Sequence, residues 1–305
     1  MSARRVAPIR VGVAGWDYKD WKGPFYPPRR PKGFDPLAFL ARYVDLIEIN
    51  STFYRPPEAD WARRWRDRAR DGASGRHAHD FRFTVKLWQR FTHQRKEAWT
   101  RDELRQFKDG VAPLKQSKLL GALLAQFPWS FRNTDENREW LEDVHRAFAS
   151  WPLVVEVRHE SWNVPEFYAW LTEQGIGFVN VDQPLFSKSI KPSARSTSHV
   201  GYVRVHGRNY RDWFRKAAGR DERYDYLYSA AELTPWVERT KAVAEEPATE
   251  EVDVVFNNHY KAKAVVNALQ FESMLGRDVE APQRLFDAYG PALAEAGVEP
   301  EATAE

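Results

Sequence analysis

Glu156 and Arg158 stand two residues apart in the run Leu153-Val154-Val155-Glu156-Val157-Arg158, which continues into His159-Glu160-Ser161-Trp162. Side chains on a strand alternate between its two faces, so Val154, Glu156 and Arg158 share one side and Leu153, Val155 and Val157 the other. Unpaired charge is too costly to bury in hydrocarbon, so the polar side must look into a wet site or a paired network. A carboxylate beside a guanidinium suits proton transfer on a substrate that carries negative charge. The same pattern returns along the chain: Glu48 and Asn50, Lys86, Gln126, Asp182, Arg204 and His206, and Asn257 fall at the polar parity near the ends of apolar runs.

Eight strands account for those runs, at 10–14, 45–50, 81–86, 119–126, from 153, 176–182, 202–206 and 252–257. Helices are expected between them near 36–43, with Asp35 as cap and Pro36 in its first position, and near 57–70, 102–114, 135–150, 165–174, 230–245 and 260–276. Segment 183–199 shows no helical pattern, and 207–229 is a long insertion. Strict strand–helix alternation requires parallel pairing with right-handed crossovers, and eight units close a barrel. An open doubly wound sheet would have central strands apolar on both faces, whereas these carry polar residues on one. The expected fold is therefore a TIM-type (β/α)8 barrel with a closed parallel sheet. It should occupy residues 8–296 as one domain, with long loops at its C-terminal mouth and a frayed acidic tail at 297–305.

The chain has 305 residues, no Cys and a net charge of +3. It offers no disulfide framework, and its N-terminus has no apolar run of signal-peptide or membrane length, so a cytoplasmic protein without a membrane partner is the expectation. Charge is unevenly spread. The loops expected at the mouth (15–33, 50–57, 86–100, 127–134, 158–163, 183–200 and 207–229) carry +13 by residue count, leaving −10 for the remainder. The same loops hold Trp16, Tyr18, Trp21, Phe25, Tyr26, Trp88, Trp99, Trp213 and Phe214. Basic residues interleaved with aromatics favour an anionic ligand with flat or sugar-like groups, single-stranded nucleic acid among them. The structural alternative is that these aromatics pack beneath their own loops.

The chain resembles the YecE-like family, domain of unknown function seventy-two, over about residues 11–275. The resemblance rests on Gly15-Trp16-Asp17-Tyr18 with Phe25-Tyr26-Pro27, Glu48-Ile49-Asn50-Ser51-Thr52-Phe53-Tyr54, Phe83-Thr84-Val85-Lys86 with Thr92-His93, and Gln126-Phe127-Pro128. It continues through Glu156-Val157-Arg158-His159 with Ser161-Trp162, Asp182-Gln183-Pro184, Val203-Arg204-Val205-His206-Gly207, and Phe256-Asn257-Asn258-His259 with Asn267-Ala268. It implies a TIM-type barrel and brings no established reaction. The insertion around 208–228 is longer than the family pattern.

The leading expectation is an enzyme of hydrolase- or lyase-like acid–base chemistry acting on a small anionic or sugar-containing substrate. Glu156 would be general acid or base, His206 a second proton-transfer group, and Glu48 or Asp182 its orienter. Lys86, Arg158 and Arg204 would hold the anion, with Trp16, Tyr18, Asn50, Tyr54, Gln126, His159, Trp162, Asn257 and Asn258 lining the site. The structural alternative is a self-neutralising network in which Glu48, Glu156 and Asp182 pair with Lys86, Arg158 and Arg204. From a different class, a nucleic-acid-binding or nuclease-like barrel would use the basic, aromatic mouth. No cofactor is required by the sequence. Glu48, Glu156, Asp182, His159 and His206 could supply metal ligands, but no local spacing of the His-Glu-x-x-His kind supports them. A phosphate site would want a Gly-rich turn after the seventh or eighth strand, and Gly207 alone stands there.

Overall fold

A computed structural model describes residues 6–73, 77–213, 215 and 222–302. Eight parallel strands close a barrel in chain order: β1 (Ile9–Ala14), β2 (Leu46–Ile49), β3 (Arg82–Lys86), β4 (Leu120–Gln126), β5 (Leu153–Glu156), β6 (Gly177–Asp182), β7 (Val200–Val205) and β8 (Glu251–Phe256). Closure is made by β1 against β8, with Ile9 opposite Val252 and Val13 opposite Phe256. The expected (β/α)8 barrel is the observed fold.

The sheet divides the apolar residues into two populations, as alternation requires. Ala14, Leu46, Ala122, Leu124, Val154, Val179, Val181, Tyr202 and Val255 fill the barrel interior. Val11, Val13, Ile47, Ile49, Phe83, Val85, Leu123, Val155, Val203, Val254 and Phe256 face the surrounding helices and loops. Helix starts follow local chemistry. Asp35 accepts from the N–H groups of Leu37 and Ala38 at 2.8 and 3.0 Å, satisfying donors that have no partner within the helix. Thr100 with Glu103, and Ser229 with Glu232, form capping boxes for Arg101–Gln116 and Ala230–Ala244.

Helices join every consecutive pair of strands except β6 and β7, whose connection through 183–199 is irregular. A coil laid against a sheet brings backbone groups that need partners. Asn180 supplies them from the outer face of β6: its Nδ2 donates to the Arg195 carbonyl at 2.8 Å, and its Oδ1 accepts from the Arg195 N–H at 2.8 Å. On this strand Val179 and Val181 face inward, so the expectation that Asp182 points into the barrel is reversed, and Asn180, of the same parity, faces outward with it.

Two further differences lie near the C-terminus. Residues 283–295 form a helix, Gln283–Glu295, that the sequence pattern had not suggested, because Gly290-Pro291 interrupts it and Tyr289 leaves helical geometry. The segment expected to fray from 297 is tied down: Glu299–Pro300 pairs as a short strand with Glu280–Ala281, and Tyr43 donates to Glu301 at 2.8 Å. Residues 303–305 lie outside the described residues, as do Phe214 and 216–221 of the insertion.

Candidate functional site

Arg204 on β7 is the centre of the mouth. Its Nε and Nη2 grip both oxygens of Glu48 on β2, at 2.9 and 2.6 Å, and its Nη1 donates to Glu156 Oε2 on β5 at 3.0 Å. The other oxygen of Glu156 takes Arg158 Nε at 2.8 Å and Arg158 Nη2 at 2.7 Å. Tyr202, one inward step below Arg204, donates to Glu48 at 3.1 Å. Three distant strands thus meet in one charge-assisted network, with both carboxylates fully buried. Burial alone would raise the Glu156 pKa, but Arg158, Arg204 and His206 outweigh it and hold the carboxyl well below the usual range.

His206 completes the cluster beneath the cleft. Its Nε2 lies 3.2 Å from Glu156 Oε1, 3.1 Å from Arg158 Nη2 and 3.3 Å from Arg204 Nη1. Its Nδ1 lies 3.0 Å from the Asn257 amide. Burial, then the neighbouring Arg158, pushes its pKa down to about 3, so the ring is neutral at physiological pH. With the Asn257 Nδ2 donating to Nδ1, the neutral ring carries its proton on Nε2 and donates it to Glu156 Oε1, an assignment made from the network. Gly207 then turns the chain at φ +92, where an added Cβ would meet Tyr226 Cβ at 2.9 Å.

Lys86 at the end of β3 differs from its neighbours. Among the described residues it has no ion pair and no side-chain hydrogen bond, and its ammonium sits 4.2 Å from the Phe53 ring centroid. Burial, reinforced by the Arg204 charge, lowers its pKa to about 7. It opens on a cleft of about 480 Å³ lined also by Trp16, Tyr18, Asn50, Tyr54, Gln126, Arg158, Arg204 and Asn257. Arg158 keeps its Nη1 clear of any hydrogen bond with the described residues, whereas all three Arg204 nitrogens are held by carboxylates. An adjoining cleft of about 270 Å³ shares Gln126, Arg158 and Tyr224 with the first and adds His93, Trp129, Gln183 and Trp213.

Four of the expected site residues stand apart from this centre. Asp182 faces outward and is held by Arg208, at 2.9 Å from Nε, and by the Tyr228 hydroxyl, fastening the insertion to β6. Asn258 donates to the Tyr226 carbonyl at 2.8 Å and to Asn267 at 2.7 Å, a staple for the same insertion. Trp162 is buried, with its indole N–H on the Phe131 carbonyl at 2.7 Å. His159 caps the turn Glu160–Trp162 by accepting from the Ser161 N–H at 3.1 Å. With Asp182 and His159 elsewhere, the five suggested metal donors do not converge, and no group of three or more His, Asp or Glu is arranged to hold a metal among the described residues. Phe53, Tyr224, Trp129 and Gln183 line the clefts without having been singled out as site residues. They sit in loops or in single 3-10 turns (Ser51–Phe53, Glu222–Tyr224), too short for any periodicity to mark orientation.

Of the mouth aromatics, Trp21, Phe25 and Tyr26 are buried beneath their loop, while Trp16 and Tyr18 are partly exposed. Arg30, Arg90, Arg208, Arg211 and Arg215 close ion pairs with nearby carboxylates, so much of the loop charge is locally neutralised.

The family model for the protein of unknown function DUF72 matches residues 10–289, most of the chain. The chain belongs to the DUF72 family. Among its relatives, the UPF0759 protein YunF of Bacillus subtilis is 28% identical over 298 residues, covering 91% of this chain and 99% of YunF. The UPF0759 protein YecE of Escherichia coli K12 is 25% identical over 210 residues, 68% of this chain and 66% of YecE. The crystal structure of a DUF72 protein from Thermotoga maritima superposes with a TM-score of 0.73 at 35% identity, covering 88% of this chain and 100% of that one. One from Enterococcus faecalis gives 0.74 at 25% identity, covering 88% and 96%. No helix among the described residues is long and apolar enough to cross a membrane.

Proposed function

We propose that the cleft binds a small anionic or sugar-containing substrate and acts on it by hydrolase- or lyase-like acid–base chemistry. The supporting observation is a charge imbalance. With Asp182 turned away, two carboxylates, Glu48 and Glu156, face three cationic side chains, Arg158, Arg204 and Lys86, and Lys86 has no carboxylate partner among the described residues. An anion supplied by a ligand balances the set.

The roles follow from the bonding. Glu48, Glu156 and Arg204 saturate one another and serve as positioning residues. Arg158 offers Nη1 to the anion, and the amides of Asn50, Gln126 and Asn257 can bond hydroxyl or carbonyl groups. Lys86 takes the proton-transfer role first assigned to Glu156, because its pKa lies near neutrality while that of Glu156 lies far below. A two-carboxylate glycosidase needs one carboxyl protonated, which the guanidinium bonds to Glu156 oppose.

The test is thermal unfolding and titration calorimetry with inorganic phosphate, sulfate and citrate at constant ionic strength. At a hundredfold excess over Kd the stabilisation should be about 2.7 kcal/mol. Lys86→Met should lose most of it. No stabilisation of the wild type by any of the three would overturn the reading. Binding of a single-stranded oligonucleotide with a log K against log salt slope of several units, indifferent to small anions, would favour a nucleic-acid-binding barrel instead.

A further inference from the structure

We propose that Lys86 is a nucleophilic amine that forms an imine with an aldehyde or ketone carrying a carboxylate or phosphate group. This rests on the anion-binding reading of the same cleft and names its substrate class and its covalent step.

The geometry separates two tasks that a cationic site usually merges. Arg158 is anchored to Glu156 through Nε and Nη2 and presents Nη1 to the cleft, so it is a fixed anion donor. Lys86 lines the same cleft from β3, and its backbone carbonyl is fixed by the Thr52 hydroxyl at 2.6 Å. Its ammonium rests on Phe53, an apolar face that offers no hydrogen-bond acceptor beyond the ring. The charged groups around it are Arg158, Arg204, Glu48 and Glu156, and both carboxylates are already taken up by guanidinium groups. An amine desolvated on one side and crowded by cations favours its neutral, nucleophilic form, the condition under which lysine attacks carbonyl carbon. A lysine needed only for structure would be expected to reach a carboxylate or a carbonyl oxygen, and Lys86 reaches neither among the described residues.

The step balances without a co-reactant. The Lys86 nitrogen lone pair attacks the carbonyl carbon, the C–N bond forms and the C=O π pair moves to oxygen. A proton passes from nitrogen to that oxygen to give a carbinolamine. Loss of water, which carries away the carbonyl oxygen, leaves a carbon–nitrogen double bond. Once protonated, that imine withdraws electrons from the adjacent carbon, which suits proton abstraction or carbon–carbon cleavage next to the former carbonyl, lyase chemistry in kind.

Reductive trapping tests this. The full chain is incubated at pH 7.5 with glyoxylate and sodium cyanoborohydride, and peptides are read by mass spectrometry for one added carboxymethyl group. Lys86 should be modified at least ~10-fold faster than the exposed Lys32 and Lys96. Propanal, which lacks the anionic group, should show a smaller preference for Lys86 than glyoxylate does. Lys86→Arg, which keeps the charge, should abolish the fast label while retaining stabilisation by phosphate. Labelling of Lys86 no faster than Lys32 and Lys96 overturns the imine proposal. In that case stabilisation of the wild type by phosphate leaves the anion site standing, and its absence removes both.

Discussion

The two ends of the barrel carry ion networks of opposite imbalance. At the mouth, Glu48 and Glu156 meet Arg158, Arg204 and Lys86, one cation too many. At the N-terminal end, Arg10 lies 2.8 Å from Asp80, 2.7 Å from Glu251 and 3.6 Å from Asp253, and Arg82 lies 3.6 Å from Asp80, so one carboxylate is in excess. Each network leaves one group that no counter-charge reaches at hydrogen-bond distance among the described residues, Lys86 above and Asp253 below, and each moves toward its neutral form. Burial lowers Lys86 to about 7, and burial raises Asp253 to about 7 against the pull of Arg10. The odd group at the bottom is sealed: Asp253 is fully buried and neither of its oxygens has a hydrogen-bond partner among the described residues. The odd group at the top opens on a cleft. Charge imbalance alone therefore does not mark a site, and access to a ligand separates the two ends.

The largest effect should come from removing the hub of the upper network. Arg204→Met leaves Glu48 and Glu156 buried with fewer partners and should cost roughly 3–5 kcal/mol in urea unfolding. A loss below about 1 kcal/mol would mean the mouth is as wet as an exposed ion pair.

The next pair of substitutions sets the two ends against each other. Asp253 has a folded pKa above its unfolded value, so its contribution is full below about pH 4 and is lost as pH rises to about 7. Asp253→Asn should therefore gain on the wild type by roughly 2–4 kcal/mol across that window. Lys86 has a folded pKa below its unfolded value, so stability rises with pH between about 7 and about 10.4. Lys86→Met should be the more stable protein at pH 6, by roughly 1–3 kcal/mol, and lose that advantage toward pH 10. Parallel pH trends for the two variants would remove the contrast between the ends.

The smallest effect sharpens the assignment of protons at the mouth. With its pKa near 3, His206 should show constant imidazole chemical shifts between pH 5 and 8. A titration midpoint inside that range would restore it as a proton-transfer group.

Much of the fold was legible because the period of two repeats on eight runs and the helical period on most of the connections. The helix Gln283–Glu295 was hidden by Gly290-Pro291, whose usual meaning is a break. Within the site, parity correctly grouped Glu48, Lys86, Glu156, Arg158, Arg204 and His206. It failed at Asp182 for an identifiable reason. Polar residues were expected to face inward because outer faces are normally covered by apolar helix surfaces. On β6 the cover is a coil and an insertion with polar groups to satisfy, and Asn180 and Asp182 serve them. His159 and Trp162 were placed by nearness in sequence to a strand end, which says nothing about direction once the chain enters a turn.

Alternation along the chain determined that there are eight strands, that they close, and which side chains share the barrel interior, because side-chain direction on a strand is a local property. Only the tertiary structure decided which charges neutralise which. Pairing depends on distances between strands separated by as many as 156 residues at the mouth, as for Glu48 and Arg204, and 241 at the other end, as for Arg10 and Glu251. It also depends on loops whose direction no period encodes. Those long-range distances left Lys86 without a carboxylate partner among the described residues.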